Sequence, residues 1–274
     1  MRRSPTGEQW HLARGEQSAC VVQVGGGLRS YAVSGRDVVA GFRPDQPCLH
    51  GRGQVLMPWP NRVRDGRYTV RGTAYQLPLT EVERANASHG LVRWALWELV
   101  RHEPDLVEVR YRLHPQPGWP WHLDLGLVYH LTDDGLVVTA SAINPGGERV
   151  PFGFGAHPYV ATGGVDPAQI SVTIPARTYL VVDGERLLPQ RVAAVGGTPE
   201  DLRAGPRLGD LALDTAYTDL ERGDDGAGPS RWAASRRGQL TSGGMRGWGG
   251  CRCSRRRRGY RSTGPTSPAS PSNR

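Results

Sequence analysis

The chain has 274 residues, and all 34 of its cationic side chains are arginine, set against 26 carboxylates for a formal net charge of +8. Eleven of those arginines and none of the carboxylates fall in residues 226–274, so residues 1–225 carry a net −3 and the overall basicity is no sign that this body binds nucleic acid or an acidic membrane. Four scattered cysteines (Cys20, Cys48, Cys251, Cys253) exclude a disulfide framework and lack zinc-site spacing, and no stretch approaches the 18 apolar residues of a membrane span, so a reduced cytoplasmic compartment is expected.

In chain order, Ala19-Cys20-Val21-Val22-Gln23-Val24 is the first β-rich run, and Gly25-Gly26-Gly27 closes it as a turn. Three more strands follow at 106–113, 123–130 and 136–143, each with alternation or a β-branched run and no sustained helical period. Asp133-Asp134-Gly135 separates the last two, and Asn144-Pro145-Gly146-Gly147 ends the third. Ile170–Ile174 is a further strand, and Asp183-Gly184 a further turn. Many short strands punctuated by Gly and Pro point to an all-β sandwich or barrel, and 225 residues suffice for one large core. From 226 to 274 there is no Val, Ile or Phe, only a composition rich in Arg, Gly, Ser and Pro with the block Arg255-Arg256-Arg257-Arg258. Such a segment cannot bury enough apolar surface to offset about 1–2 kcal/mol of backbone entropy per residue, so a disordered tail following a 1–225 domain is expected. A nucleic-acid role for the arginine block has no folded reader or aromatic platform beside it.

The chemistry is concentrated in two segments. One runs Met57-Pro58-Trp59-Pro60-Asn61-Arg62-Val63-Arg64-Asp65-Gly66-Arg67-Tyr68 and continues to Asn86-Ala87-Ser88-His89-Gly90-Leu91-Val92-Arg93; the other is Gly153-Phe154-Gly155-Ala156-His157-Pro158-Tyr159. A single histidine beside glycine is most often a loop or core residue, and His102, His114, His122 and His130 stand in no motif at all. Arg64 and Arg67 could simply pair with Asp65 or Glu83 at the surface. Trp59, Trp94, Trp119 and Trp121 could offer flat apolar faces to a ligand, though packing is the commoner use of such rings.

Taken jointly and in this order, Pro-Asn-Arg-x-x-x-Gly-Arg-Tyr, Asn-x-x-His-Gly and Gly-x-His-Pro-Tyr resemble the aldose 1-epimerase (galactose mutarotase-like) family. Gly25–Tyr31 and Leu213-Asp214-Thr215-Ala216-Tyr217 extend the likeness to roughly residues 15–222. The resemblance implies a mutarotase-like β-supersandwich and the interconversion of α and β anomers of a free hexose such as galactose or glucose. That reaction opens and recloses a hemiacetal by proton transfers and needs no metal or redox cofactor. On the same resemblance, His157 is the acid and His89 the second site histidine, while Asn61, Arg62 and Asp214 hold sugar hydroxyls.

The family's general base is a glutamate near the C-terminus in a Glu-Pro stretch on one of the last strands; here no glutamate follows Glu221. The change of residue types after about 225 is what a shifted reading frame leaves in an arginine-rich, lysine-free coding sequence, and reading the other two frames tests that. The expectation is a sandwich lacking its last strands and an impaired epimerase. Two alternatives stand beside it: a non-catalytic sugar-binding or sensory protein, and a sugar-phosphate epimerase, which would need arginines gathered at the site.

Overall fold

The computed structural model describes residues 4–209, 211, 213–221, 230–236, 239–245 and 253–254. Apart from two single-turn 3-10 helices, its regular elements are strands.

The N-terminal sheet is an antiparallel meander of β1 (Gln9–Arg14), β2 (Gln17–Val22), β3 (Leu28–Val33) and β4 (Arg36–Val39). The triglycine turn joins β2 to β3, with Gly25 and Gly26 at positive φ and Val22 N–H donating to the Gly27 carbonyl. A chain of short pieces follows: β5 (Val55–Leu56), β6 (Arg62–Arg64), the hairpin β7 (Arg67–Val70) and β8 (Thr73–Gln76), then β9 (Asn86–Ser88). The large sheet is built from β10 (Glu98–Glu103), β11 (Leu106–Leu113), β12 (Leu123–Thr132) and β13 (Gly135–Ile143), antiparallel throughout. Thr132 pairs with Gly135 across Asp133-Asp134, a two-residue hairpin loop of the kind those residues favour.

β12 shows why the sandwich closes. Leu123, Leu125, Leu127, Tyr129 and Leu131 are buried while the residues between them are only partly covered, the period-2 pattern of a strand with one face on a core. That face shares one cluster with Trp10, Leu12 and Val21 of the N-terminal sheet and with Val107 and Val109 of β11. Each such aliphatic side chain withdrawn from water contributes roughly 1.5–3 kcal/mol. The Tyr129 hydroxyl donates to the Gly26 carbonyl at 2.7 Å, which satisfies a polar atom in the core and ties the triglycine turn to the large sheet.

Beyond the core come β14 (Gly155–Ala156), β15 (Ile170–Thr173), β16 (Ala176–Val182), β17 (Pro189–Ala194) and β18 (Ala216–Leu220), with β16 central between β17 and β18. The segment after 225, read from its composition as a tail without strands, contains backbone strands β19 (Ser230–Arg236), β20 (Gln239–Met245) and β21 (Cys253–Ser254). β19 pairs with β15, β20 with β19, and β21 with the end of β13. Ladder hydrogen bonds come from the main chain, and 230–245 holds no proline to interrupt them, so pairing forms there without the Val, Ile or Phe that the segment lacks. The Arg255–Arg258 block lies outside the described residues.

Candidate active site

Two very short ladders bring the motif residues together. Arg62 opens β6 and pairs with Ser88 of β9. One step further on, the Asn61 N–H donates to His89 Nδ1 at 3.1 Å and the His89 N–H donates to the Asn61 carbonyl at 2.8 Å. Both residues sit in the left-handed region, at φ 59° and 63°, a conformation uncommon for residues with a side chain and associated with functional loops. The second ladder pairs Gly155 with Leu56 and Ala156 with Val55. It runs on through His157 N–H to the Gln54 carbonyl at 3.0 Å, with Gly53 N–H returning to the His157 carbonyl at 2.8 Å. Leu91 N–H donates to the Met57 carbonyl at 2.7 Å, so both histidine loops hang from the segment 53–57 that contains β5.

The result is a pair of imidazoles drawn from positions 68 residues apart in the chain, with ring centroids 5.7 Å apart and planes at 82°. Tyr159 also lies against His157, its ring centroid 5.5 Å away and its plane tilted by 32°. Because a backbone N–H can only donate, Nδ1 of His89 holds a lone pair and the neutral ring presents Nε2–H. Burial, with the charges of Arg93, His157 and Arg62, pushes the His89 pKa down to about 4 against a weaker opposing pull from Glu81.

Arg62 is held by a fork: Nε donates to Glu81 Oε2 at 2.7 Å and Nη2 to Glu81 Oε1 at 3.1 Å, while Nη1 reaches Asn61 Oδ1 at 3.3 Å. Glu81 is also bonded by Asn86 Nδ2 at 3.2 Å, and these partners, Arg62 foremost, hold its carboxyl below the ordinary range. Asp214 is exposed and close enough for its charge to act on Arg62. Arg93 donates from Nε to Gln54 Oε1 at 2.7 Å, and Gln54 Nε2 returns a bond to the Arg93 carbonyl at 3.0 Å. Gly51 faces both groups: from the point where a β-carbon would stand, His157 ring carbons are 3.6 Å away and Arg93 Nη2 is 3.8 Å away.

The structure brings His157 beside His89, His89 onto Asn61 and Asn61 onto Arg62, and Asp214 comes close enough for its charge to act on Arg62. Glu81, Gln54 and the position of Arg93 had no signal in the sequence, since each depends on a partner 19 or more residues away. Arg67 donates to Gln76 at 3.0 Å and Asp65 pairs with Arg186 at 2.8 Å, so neither makes the surface pair suggested by proximity in sequence. Trp119 and Trp121 are core residues, and Trp94 is 61% exposed. Among the described residues, no group of three or more His, Cys, Asp or Glu is placed to hold a metal ion.

A family model described as aldose 1-epimerase matches residues 8–232. The chain belongs to the aldose 1-epimerase family. Among its relatives, the protein named "Uncharacterized protein YihR" of Escherichia coli is 34% identical over 179 residues, covering 65% of this chain and 58% of the relative. Galactose mutarotase of Rattus norvegicus is 34% identical over 185 residues, covering 63% and 52%. The chain thus spans little more than half the length of these curated relatives. Solved structures confirm the all-β mutarotase-like fold. A GalM/aldose epimerase homologue from C. elegans superposes with TM-score 0.72 at 18% identity, covering 84% of this chain and 76% of its own. Galactose 1-epimerase from Lactobacillus acidophilus gives 0.64 at 22% identity, covering 88% and 75%. The aldose 1-epimerase match runs into β19, past the point where the composition changes.

Proposed function

We propose that this site binds a free aldose and acts on its anomeric centre, with His157 protonating the ring oxygen as the hemiacetal opens. The observation that carries the reading is the His89–His157 pair, two imidazoles with ring centroids 5.7 Å apart whose loops are both hydrogen-bonded to the 53–57 segment. Ring opening needs a proton delivered to the ring oxygen and one removed from the C1 hydroxyl. A histidine has both forms accessible near neutrality, which suits delivery. His89 is a fixed neutral donor: its Nε2–H stabilises negative charge developing on a sugar oxygen without titrating. Arg62, Asn61 and Asp214 supply donors and acceptors for ring hydroxyls.

Proton removal is the weak half. Glu81 is the carboxylate whose charge reaches His89, and both of its oxygens are occupied by Arg62, so its basicity is spent on that pair. No glutamate stands in the final strands. Loss of a general base removes a factor of typically about 10²–10⁴, so the chain binds sugar and turns it over slowly. The free, buried thiols of Cys20 and Cys48 support a reduced cytoplasmic setting. The test is an NMR titration of the histidine imidazoles with galactose and with glucose. Shifts confined to His89 and His157 are expected; shifts at neither, at sugar concentrations up to tens of millimolar, would overturn the reading.

A further inference from the structure

Two histidines outside the sugar chemistry stand against each other. The β11–β12 ladder pairs Leu113 with Leu123, so one step further towards the connecting loop His114 is opposite His122. Leu113, Trp121 and Leu123 are buried and both histidines are exposed, which puts the two rings on the face of the large sheet turned away from the core. Their centroids are 5.3 Å apart with planes at 79°, and neither ring makes a hydrogen bond among the described residues. Arg112 and Asp124, the next pair on that face, neutralise each other at 2.7 Å, so no uncompensated cation from that pair stands beside the rings.

Imidazole is a ligand for zinc, copper and nickel ions, and two imidazoles bound to one tetrahedral zinc at about 2.0 Å put their centroids roughly 5 Å apart. The observed separation is within reach of exposed rings that turn about their own side-chain bonds. The backbone beneath them is already set. Residues 115–121 contain Pro115, Pro117 and Pro120, whose rings fix φ, and Gln116 and Trp119 exchange two main-chain hydrogen bonds of 2.8 Å. The Tyr68 hydroxyl donates to the Gly118 carbonyl at 2.6 Å, and Trp119 is buried against Trp121 and Trp59. Little ordering entropy is therefore left to lose when a ligand bridges the two rings. The His89–His157 pair differs in this respect, because the one lone pair in the plane of the neutral His89 ring already accepts the Asn61 N–H.

We propose that His114 and His122 form a surface site for a divalent late transition-metal ion such as zinc, with water completing its coordination. The ion clips the end of β11 to the start of β12 across the proline-rich loop. It takes no part in the proposed sugar reaction, and the inference stands independently of the aldose reading, since neither histidine belongs to the motifs that build that site.

Titration of the full chain with zinc chloride, read residue by residue through the histidine imidazole NMR signals, tests it, with magnesium chloride as the comparison. His114 and His122 should shift together at a single zinc midpoint, about tenfold or more below that of His102, an exposed histidine whose Nε2 lies 2.9 Å from the His11 carbonyl oxygen rather than beside a second imidazole. In His122→Gln the His114 midpoint should rise by about tenfold or more, and in His114→Gln that of His122 likewise, because a chelate reduced to one ligand loses the advantage of the second. Both side chains are exposed, so neither substitution disturbs the core; if one variant nevertheless fails to fold, the other decides. Separate midpoints for the two rings, a midpoint no lower than that of His102, or an unmoved midpoint in a folded variant overturns the inference. An equal response to magnesium also overturns it, since that is an effect of ionic strength, and so does zinc that shifts His89 and His157 before His114 and His122.

Discussion

Asn61 and His89, 28 positions apart, exchange two hydrogen bonds: each backbone N–H donates to the other residue, one to the imidazole Nδ1 at 3.1 Å and one to the carbonyl at 2.8 Å. Backbone geometry, rather than another side chain, thereby decides which nitrogen of His89 faces the site. Imidazole NMR should show His89 as the Nε2–H tautomer, neutral from pH 8 down to about 5 and titrating near 4. A midpoint near 6.5, or an Nδ1–H tautomer, would contradict the arrangement.

The same shift couples to stability. The folded pKa of about 4 lies below the unfolded 6.5, so between those values the unfolded chain binds more protons and acidification favours unfolding. The loss from His89 accumulates as pH falls from about 6.5 to about 4 and adds nothing further below that. The lowered pKa of Glu81 acts in the same direction at still lower pH. Urea midpoints measured across pH 4–7 should fall on acidification, and His89→Gln should flatten the upper part of that fall. An unchanged slope in the variant would show that His89 is not buried neutral.

Glu81 secures Arg62 through both carboxylate oxygens, with the two side chains only 17% and 20% exposed. Glu81→Ala leaves a half-buried guanidinium and the Asn86 amide without their acceptor, and should cost about 1–3 kcal/mol in urea unfolding. Glu81→Gln, which keeps one acceptor oxygen, should recover part of it. If both variants unfold like the parent, the pair is a solvated surface contact.

Gly90 packs against the segment that carries both histidine loops. Its φ is +75°, and a β-carbon there would stand 2.0 Å from the Met57 carbonyl oxygen, which accepts the Leu91 N–H. Gly90→Ala must therefore displace main chain, and a loss of at least about 2 kcal/mol is expected from strain and the broken contact. Thermal melting within a degree or two of the parent would contradict the packing described.

The core strands were legible because burial on one face writes a period of two into residues 106–113 and 123–131, and Asp133-Asp134-Gly135 is chemistry suited to a hairpin. The elements that build the site left no such trace. β5, β6, β9 and β14 are two or three residues long, too short for any periodicity, and their pairings join positions 22 to 101 residues apart. His89, His157 and Arg62 could be named only through the family motifs around them. Gln54, Glu81 and the Gln54-bonded guanidinium of Arg93 required coordinates, because each owes its role to a partner distant in the chain. The backbone strands after 225 leave no mark in composition for a related reason: main-chain pairing to β15 does not depend on the side chains that composition counts.

Whether a working base stands beside the acid His157 is tested most directly by polarimetry of freshly dissolved α-galactose and α-glucose at neutral pH, with the purified full chain and its His157→Ala variant. The account predicts that the parent accelerates the approach to anomeric equilibrium little above buffer, because the acid is present and the C-terminal base is not. Rapid mutarotation by the parent that disappears in His157→Ala would contradict it, and would mean that another group in this chain removes the C1 hydroxyl proton.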